Sequence, residues 1–272
     1  LFHQLSKDHS KGHPPVPEKY EDWPEEWKTT YYKVYPRLPK IDLEDLPSVA
    51  PEGAKEGGPP SAPASAEASA GKEFLDLIKK RKSRYDFTRT QITKHELSIL
   101  LKYSCGNTGF LREDRFRRAQ PSGGGRFPIE VYPIVFRSGG PSAPASAEAM
   151  AGEDELKSGL YHYNVKEHTL DVLWDREFSD EDIGQIFTYP WVKDAAIGIV
   201  MTGVFWRNQN KYGERGYRYI LIEAGHIGQS MYFVSEALGL KCCALGGTRD
   251  ENLEKLIDID GITESVVYAL AI

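Results

Sequence analysis

The sequence predicts an α+β fold, and three observations point there. Helical and strand patterns alternate without the regular βαβ rhythm of a doubly wound sheet. The stretch LYHYNVKEHTLDVLW (160–174) reads as a hairpin of two aromatic-rich strands around a polar turn. Residues 216–240, GYRYILIEAGHIGQSMYFVSEALGL, read as one long helix apolar on most faces, hence central and buried.

The elements follow in order. Residues 1–52 are rich in proline and polar groups, and no helical or strand period persists there. Trp23, Trp27, Tyr31, Tyr32 and Tyr35 suit an extended arm that anchors on a folded body through its rings. Residues 53–71 form a flexible spacer, because PSAPASAEASAG (60–71) has no apolar face. Almost the same segment, PSAPASAEAMAG, recurs at 141–152 as a low-complexity loop insert. The remaining unit, 72–272, is the folded domain.

Within it, KEFLDLIKKRK (72–82) places Phe74, Leu75, Leu77 and Ile78 at helical spacing. Thr93 and Glu96 form a capping box for KHELSILLKYS. IEVYPIVF (129–136) is a strand in which Pro133 suggests an edge or a bulge. AAIGIVMTGVF (195–205) is a buried strand by its continuous apolar run. KCCAL is a short strand, Thr248 and Glu251 cap the helix DENLEKLI, and SVVYALAI closes the chain as a strand.

Composition narrows the function. The 272 residues carry a net charge of -6, and no basic stripe is interleaved with aromatics, which argues against nucleic acid. The most apolar stretch is too short and too glycine-interrupted to span a bilayer, and the first residues lack the apolar core of a signal peptide. Three cysteines, two of them adjacent, suit a reducing, cytoplasmic setting. The seven histidines are scattered without metal-site spacing, so no metal is expected; His226, inside the apolar helix, reads as a satisfied core histidine.

Three segments carry candidate chemistry, each with a plainer reading beside it. In RKSRYDF (81–87), Arg81, Lys82 and Arg84 bracket Ser83, a set that grips a phosphate monoester. The plainer reading is a solvated basic cluster at a helix C-terminus. In RAQPSGGGRFP (118–128), three glycines let a flat ligand approach the main chain, with Ser122 as an added donor. The alternative is a flexible loop. In ALGGTRD (244–250), Gly246 and Gly247 offer amides to an electron-rich heteroatom, or form a turn needing positive φ. No P-loop or dinucleotide-binding turn is present.

The order of these segments, with PSGG…P-x-E-x-Y and EAG-x-x-x-Q between them, resembles the FMN-dependent nitroreductase superfamily. RKSRYDF, RAQPSGGGRFPIEVY, GLYHYN and KYGERGYRYILIEAGH are similar to the SagB-type dehydrogenases, which include azoline oxidases of peptide-modifying pathways. The resemblance covers about residues 72–272. It implies a central mixed, mainly antiparallel sheet flanked by helices, in an intertwined homodimer with FMN at the subunit interface. By this resemblance Arg81, Lys82 and Ser83 match phosphate and ribityl contacts. Pro121, Ser122, Gly123 and the following glycines match the loop along the flavin, and Gly246 and Gly247 match the pair at its N5 and O4 edge. Tyr85 stands where many relatives carry a basic residue beside N1 and O2. Gly125 stands near where simpler nitroreductases have asparagine.

Lys211 and Tyr212 match a lysine–tyrosine pair implicated in acid/base steps of azoline oxidation. That reaction sends a hydride to flavin and a proton to a base, for which lysine serves when burial lowers its pKa. The plainer reading is a solvated lysine in a polar loop. The implied function is an FMN oxidoreductase, foremost an azoline-to-azole dehydrogenase acting on a peptide or related heterocycle. The alternatives are an NAD(P)H-dependent nitro- or quinone reductase, and a flavin-binding subunit of a biosynthetic complex.

Overall fold

The computed structural model describes residues 32, 33, 35–43, 73–112, 115–137 and 156–272. Both alanine-rich spacers, together with Trp23, Trp27 and Tyr31, lie outside the described residues. Nine strands and six helices follow in chain order among those residues. They are β1 (Lys40–Asp42), α1 (73–80), α2 (Lys94–Cys105), β2 (Asn107–Arg112), β3 (Arg115–Arg118), β4 (Ile129–Val135), β5 (Gly159–Asn164) and β6 (Thr169–Asp175). Then come α3 (Asp180–Ile186), β7 (Ile197–Val204), α4 (Phe205–Tyr212), α5 (Gly216–Ala237), β8 (Cys243–Leu245), α6 (Asp250–Ile257) and β9 (Glu264–Ala271).

Seven strands form one sheet in the order β1-β6-β5-β4-β7-β9-β8, and β2 pairs with β3 as a separate hairpin. Every ladder between these strands is antiparallel. The sheet alternates its apolar residues between two cores, as a period of two requires. Ile129, Val131, Ile199 and Met201 face α2 and α5, meeting Leu97, Leu101, Ile220, Ala224 and Ile227. Tyr132, Ile134 and Val200 face the opposite way, onto Ile183 of α3 and Leu253 and Ile257 of α6. Burying both faces explains why β4 and β7 are buried along their whole length.

The capping box at Thr93 and Glu96 is present, with the Glu96 carboxylate accepting from the Thr93 amide at 2.8 Å. Other expectations need correction. Pro133 is in an interior strand: β4 pairs with β7 along its length but with β5 only at Ile134 and Val135, so Pro133 has no amide to supply on that side. Thr248 does not cap α6; Arg249 holds that position, and the Thr248 hydroxyl instead donates to the Asp250 carboxylate at 2.5 Å. α5 is buried along one face only, leaving Leu221, Ile222 and His226 exposed, so His226 is not a core histidine. The arm is not free of regular structure, since β1 adds to the edge of β6.

The arm also closes a polar row on the second face. His162 lies between Glu130 at 2.9 Å and Asp171 at 3.2 Å, fully enclosed. Burial opposes its charged form, but those two carboxylates outweigh it and raise its pKa. Tyr35 sets its ring edge-on to His162, and the Lys33 ammonium donates to Glu264 at 2.7 Å and to the Tyr132 hydroxyl.

Candidate functional site

The sequence-predicted site residues fall into two groups, at opposite ends of α5. At its C-terminal end, α1 closes with the Arg81 amide on the Leu77 carbonyl at 2.9 Å, and residues 81–93 follow without regular secondary structure. Arg84 fastens this segment: its Nη2 donates to both Glu236 oxygens at 3.0 Å, and its amide donates to the Cys242 carbonyl at 2.9 Å. With Nη2 paired to Glu236, Arg84 is not the free cation that the motif suggested. Lys82 and Ser83 remain exposed beside the half-buried Arg81.

Tyr232 organises this end. Its phenol oxygen accepts from the Ala244 amide at 2.7 Å and lies 2.9 Å from the Ser83 hydroxyl. The Arg81 guanidinium sits 5.2 Å from the centre of the same ring. Tyr85 is exposed and faces Trp191 at 5.8 Å, and Tyr189 stacks on Trp191 at 5.3 Å. This aromatic wall leads to Gly246 and Gly247. Neither has positive φ, so the turn reading does not account for them. A Cβ on Gly247 would lie 1.9 Å from the Thr188 hydroxyl oxygen, whereas one on Gly246 would meet nothing nearer than the Tyr189 hydroxyl at 3.9 Å. Gly247 is required by crowding; Gly246 is an open amide surface.

The second group gathers at the N-terminal end of α5. Gly123–Gly125 form a single 3-10 turn, with φ of 65° at Gly124 and 63° at Gly125, a conformation that glycine adopts without strain. The Ser122 hydroxyl accepts from the Phe127 amide at 2.9 Å and closes the loop. It is therefore an ordered turn rather than a flexible loop. Gly123 lies in ordinary contact with Tyr219, and a Cβ on Gly124 would fall 3.1 Å from Lys211 Nζ and 2.4 Å from Tyr212 Oη. Around Gly125 the space is open. Pro121 is exposed at the loop entrance.

Lys211 and Tyr212 occupy the last turn of α4, not a polar loop, and Gly213 with φ of 56° ends the helix. Both side chains are half-buried, with Lys211 Nζ 5.5 Å from the Tyr212 ring centre. Tyr212 meets Tyr219 edge-to-face at 4.9 Å. Burial raises the Tyr212 pKa, the neighbouring Tyr219 adds to this, and Arg126 opposes it. A reciprocal pair of arginines ties turn to helix: Arg126 Nε donates to the Arg207 carbonyl at 2.7 Å, and Arg207 Nη1 donates to the Phe127 carbonyl at 3.0 Å. Arg207 in turn sits 2.5 Å from Glu130, which it and His162 hold at a pKa of about 2 against the upward push of burial.

Sequence reasoning missed Tyr219, Glu223, Tyr232 and Glu236. They lie at i,i+4 spacing near the two ends of an otherwise apolar helix, and that interruption was the available signal. Tyr219 and Tyr232 stand about 20 Å apart at 1.5 Å per residue. Within one chain, then, Arg81, Ser83, Gly246 and Gly247 are not brought to Pro121, Ser122, Gly123, Lys211 and Tyr212.

The residues fit a phosphorylated planar cofactor in two halves. Arg81, Lys82 and Ser83 present cationic and hydroxyl donors for a phosphate. Gly125 and Gly246 present bare main chain against which a flat ring can lie, with no Cβ to hold it off.

A model of the nitroreductase family matches residues 78–272. MJ1384 of Methanocaldococcus jannaschii, which bears a nitroreductase name, is 26% identical over 184 residues, covering 68% of this chain and 83% of that protein. The trifolitoxin-processing protein TfxB of Rhizobium leguminosarum is also 26% identical over 184 residues, 65% of this chain and 46% of that one. Among solved structures, a nitroreductase-named protein of Anabaena variabilis has a TM-score of 0.62 at 22% identity, over 99% of this chain and 45% of its own. The Escherichia coli microcin synthetase McbBCD complex has a TM-score of 0.52 at 20% identity, over 68% of this chain and 65% of its own. At these identities the two structures speak to the fold, and the chain spans less than half the length of TfxB and of the Anabaena protein. FMN is the cofactor that nitroreductase-family proteins typically bind. The two-faced antiparallel sheet and the match over residues 78–272 lead to one conclusion: this chain belongs to the nitroreductase family.

Proposed function

We propose that the chain is an FMN-dependent oxidoreductase of SagB type, working as a homodimer that dehydrogenates azoline rings in a peptide or a related heterocycle. The observation that carries this reading is the seating of Gly124 against Lys211 Nζ and Tyr212 Oη, bare backbone beside an acid/base pair. The splitting of the site along α5 supports the dimer. An antiparallel pairing of two α5 helices through Leu221 and Ile222 sets the Arg81 end of one chain beside the glycine turn of the other. Phe74, Leu75 and Ile78 extend that apolar surface along α1.

FMN, when bound, supplies hydride acceptance at N5. The chain's own residues do the rest. Arg81, Lys82 and Ser83 anchor the phosphate, and the Pro121–Gly125 turn and Gly246–Gly247 fix the plane of the ring. Lys211 Nζ takes the proton from the carbon adjacent to the one losing hydride. The Tyr212 hydroxyl polarises or relays from the same side, its rotation limited by Tyr219. TfxB, named as a trifolitoxin-processing protein, supports a peptide-modifying role.

The test is the visible spectrum of purified protein reconstituted with FMN, followed by mixing with NADPH and separately with an azoline peptide. Bleaching by the azoline alone is expected. Bleaching by NADPH alone favours a nitro- or quinone reductase, and protein that takes up no flavin ends the proposal.

A further inference from the structure

Glu223 lies on the buried face of α5, one turn beyond Tyr219, and is 1% exposed. The Gln120 side-chain amide donates to its Oε1 at 3.2 Å. Its Oε2 and the Gln120 Oε1 are enclosed without a hydrogen-bond partner among the described residues. The groups that face the carboxyl are Ser122 and Gln120 from the glycine-rich segment, Arg118 from β3 and Arg207 from α4. Neither guanidinium forms an ion pair with Glu223 among the described residues, and both make their closest described contacts elsewhere. Arg207 serves Glu130 and the Phe127 carbonyl, and Arg118 lies over the rings of Tyr32 and Phe127. A carboxyl in such a place has hydrogen-bond donors at hand but, among the described residues, no ion pair of its own.

Resting on the reading that the glycine turn lines the FMN site, we infer that Glu223 is a positioning residue whose proton sets that turn. Its carboxylate draws the Gln120 amide and the Ser122 hydroxyl together at the two sides of Pro121, and its protonated form relaxes them. Burial pushes the carboxyl up to about 7, with Ser122, Gln120 and the two arginines pulling the other way. Exchange of this proton therefore falls near neutral pH, beside the glycine-rich segment. The ionised form orders the turn, so cofactor affinity rises as pH rises through about 7.

The test compares wild type with Glu223→Gln, which keeps the shape and loses the charge. Hydrogen exchange at the Gly123–Gly125 amides is measured without flavin at pH 6 and pH 8, each corrected for the intrinsic exchange rate. Protection in wild type is expected to rise by about fivefold at the higher pH, the worth of one hydrogen bond, and to stay level in Glu223→Gln. Gln120→Ala, which removes the donor and keeps the carboxyl, is expected to lose the same step. FMN affinity follows the same pattern. The FMN phosphate also titrates near pH 6, so the decisive quantity is the difference between wild type and Glu223→Gln. Equal protection steps in wild type and Glu223→Gln, or no step in wild type, overturn the inference. Failure of wild type to bind FMN at either pH overturns the cofactor reading instead, and the flavin-free exchange still decides the role of Glu223.

Discussion

Gly124 and Tyr212 are matched to each other: a Cβ at Gly124 would fall 2.4 Å from the Tyr212 hydroxyl oxygen. Gly125, its neighbour, has the same left-handed backbone but open space around it. Gly125→Ala is expected to cost about 1 kcal/mol for φ alone, lowering the melting temperature by roughly 2–4 °C. Gly124→Ala adds displacement of Tyr212 and is expected to lower turnover as well. Thermal melts and steady-state rates on both variants check this, and equal turnover in the two would contradict it.

Lys211→Ala is expected to keep its flavin content and lose substrate oxidation by about 10²–10⁴-fold, the usual worth of a positioned base. Tyr212→Phe keeps the ring against Tyr219 and removes only the hydroxyl, so its loss should be smaller. Flavin absorbance and single-turnover rates separate binding from chemistry. Unchanged turnover in Lys211→Ala removes it from the catalytic role.

Arg81 and Arg84 are three residues apart and should fail differently. Arg84→Ala leaves Glu236 half of a broken pair and is expected to cost about 1–3 kcal/mol of stability. Arg81→Ala removes a proposed phosphate donor, and roughly tenfold weaker FMN binding with little change in melting is expected. Denaturant midpoints and flavin titrations on the two proteins test the division.

The buried carboxyls predict opposite pH slopes. Glu223 is raised from 4.5 to about 7 on folding, so the folded state holds its proton longer than the unfolded state, and stability falls as pH rises from about 4.5 to about 7. The loss from this group is at most about 3 kcal/mol. Glu130 is lowered from 4.5 to about 2, so it contributes stability above 4.5 that is lost as pH falls toward 2. Glu223→Gln should therefore gain on wild type between pH 5 and pH 8 in urea unfolding, and a parallel pair of curves would refute the assignment.

Leu221→Asp combined with Ile222→Asp puts charge on an exposed apolar face and should leave the single chain folded. Loss of both dimer and flavin is expected by light scattering and absorbance. A monomer that retains stoichiometric flavin would show that one chain suffices.

Much of the fold was legible because it is written locally. The β5–β6 hairpin, the apolar run of β7 and the Thr93 capping box each depend on residues close in sequence. What failed depended on distant partners. Pro133 reads as an edge signal until the short β4–β5 ladder is seen, and α5 reads as wholly buried until its exposed face is seen. The glycine turn and the lysine–tyrosine pair were each visible, but 87 residues separate Gly124 from Lys211, and nothing in either motif announces the other. Glu223 was hidden inside an apolar helix for the same reason: the Gln120 that gives it meaning comes from another part of the chain.

β1 is three residues long, yet it occupies the margin of the main sheet by lying along β6. A chain trimmed to begin at residue 72 would bare the outer hydrogen-bonding groups of β6 and strip Lys33 from Glu264. An unguarded margin of that kind recruits foreign strands. Such a trimmed protein would clump during preparation, and its missing yellow colour would then say nothing about whether the arm touches the cofactor.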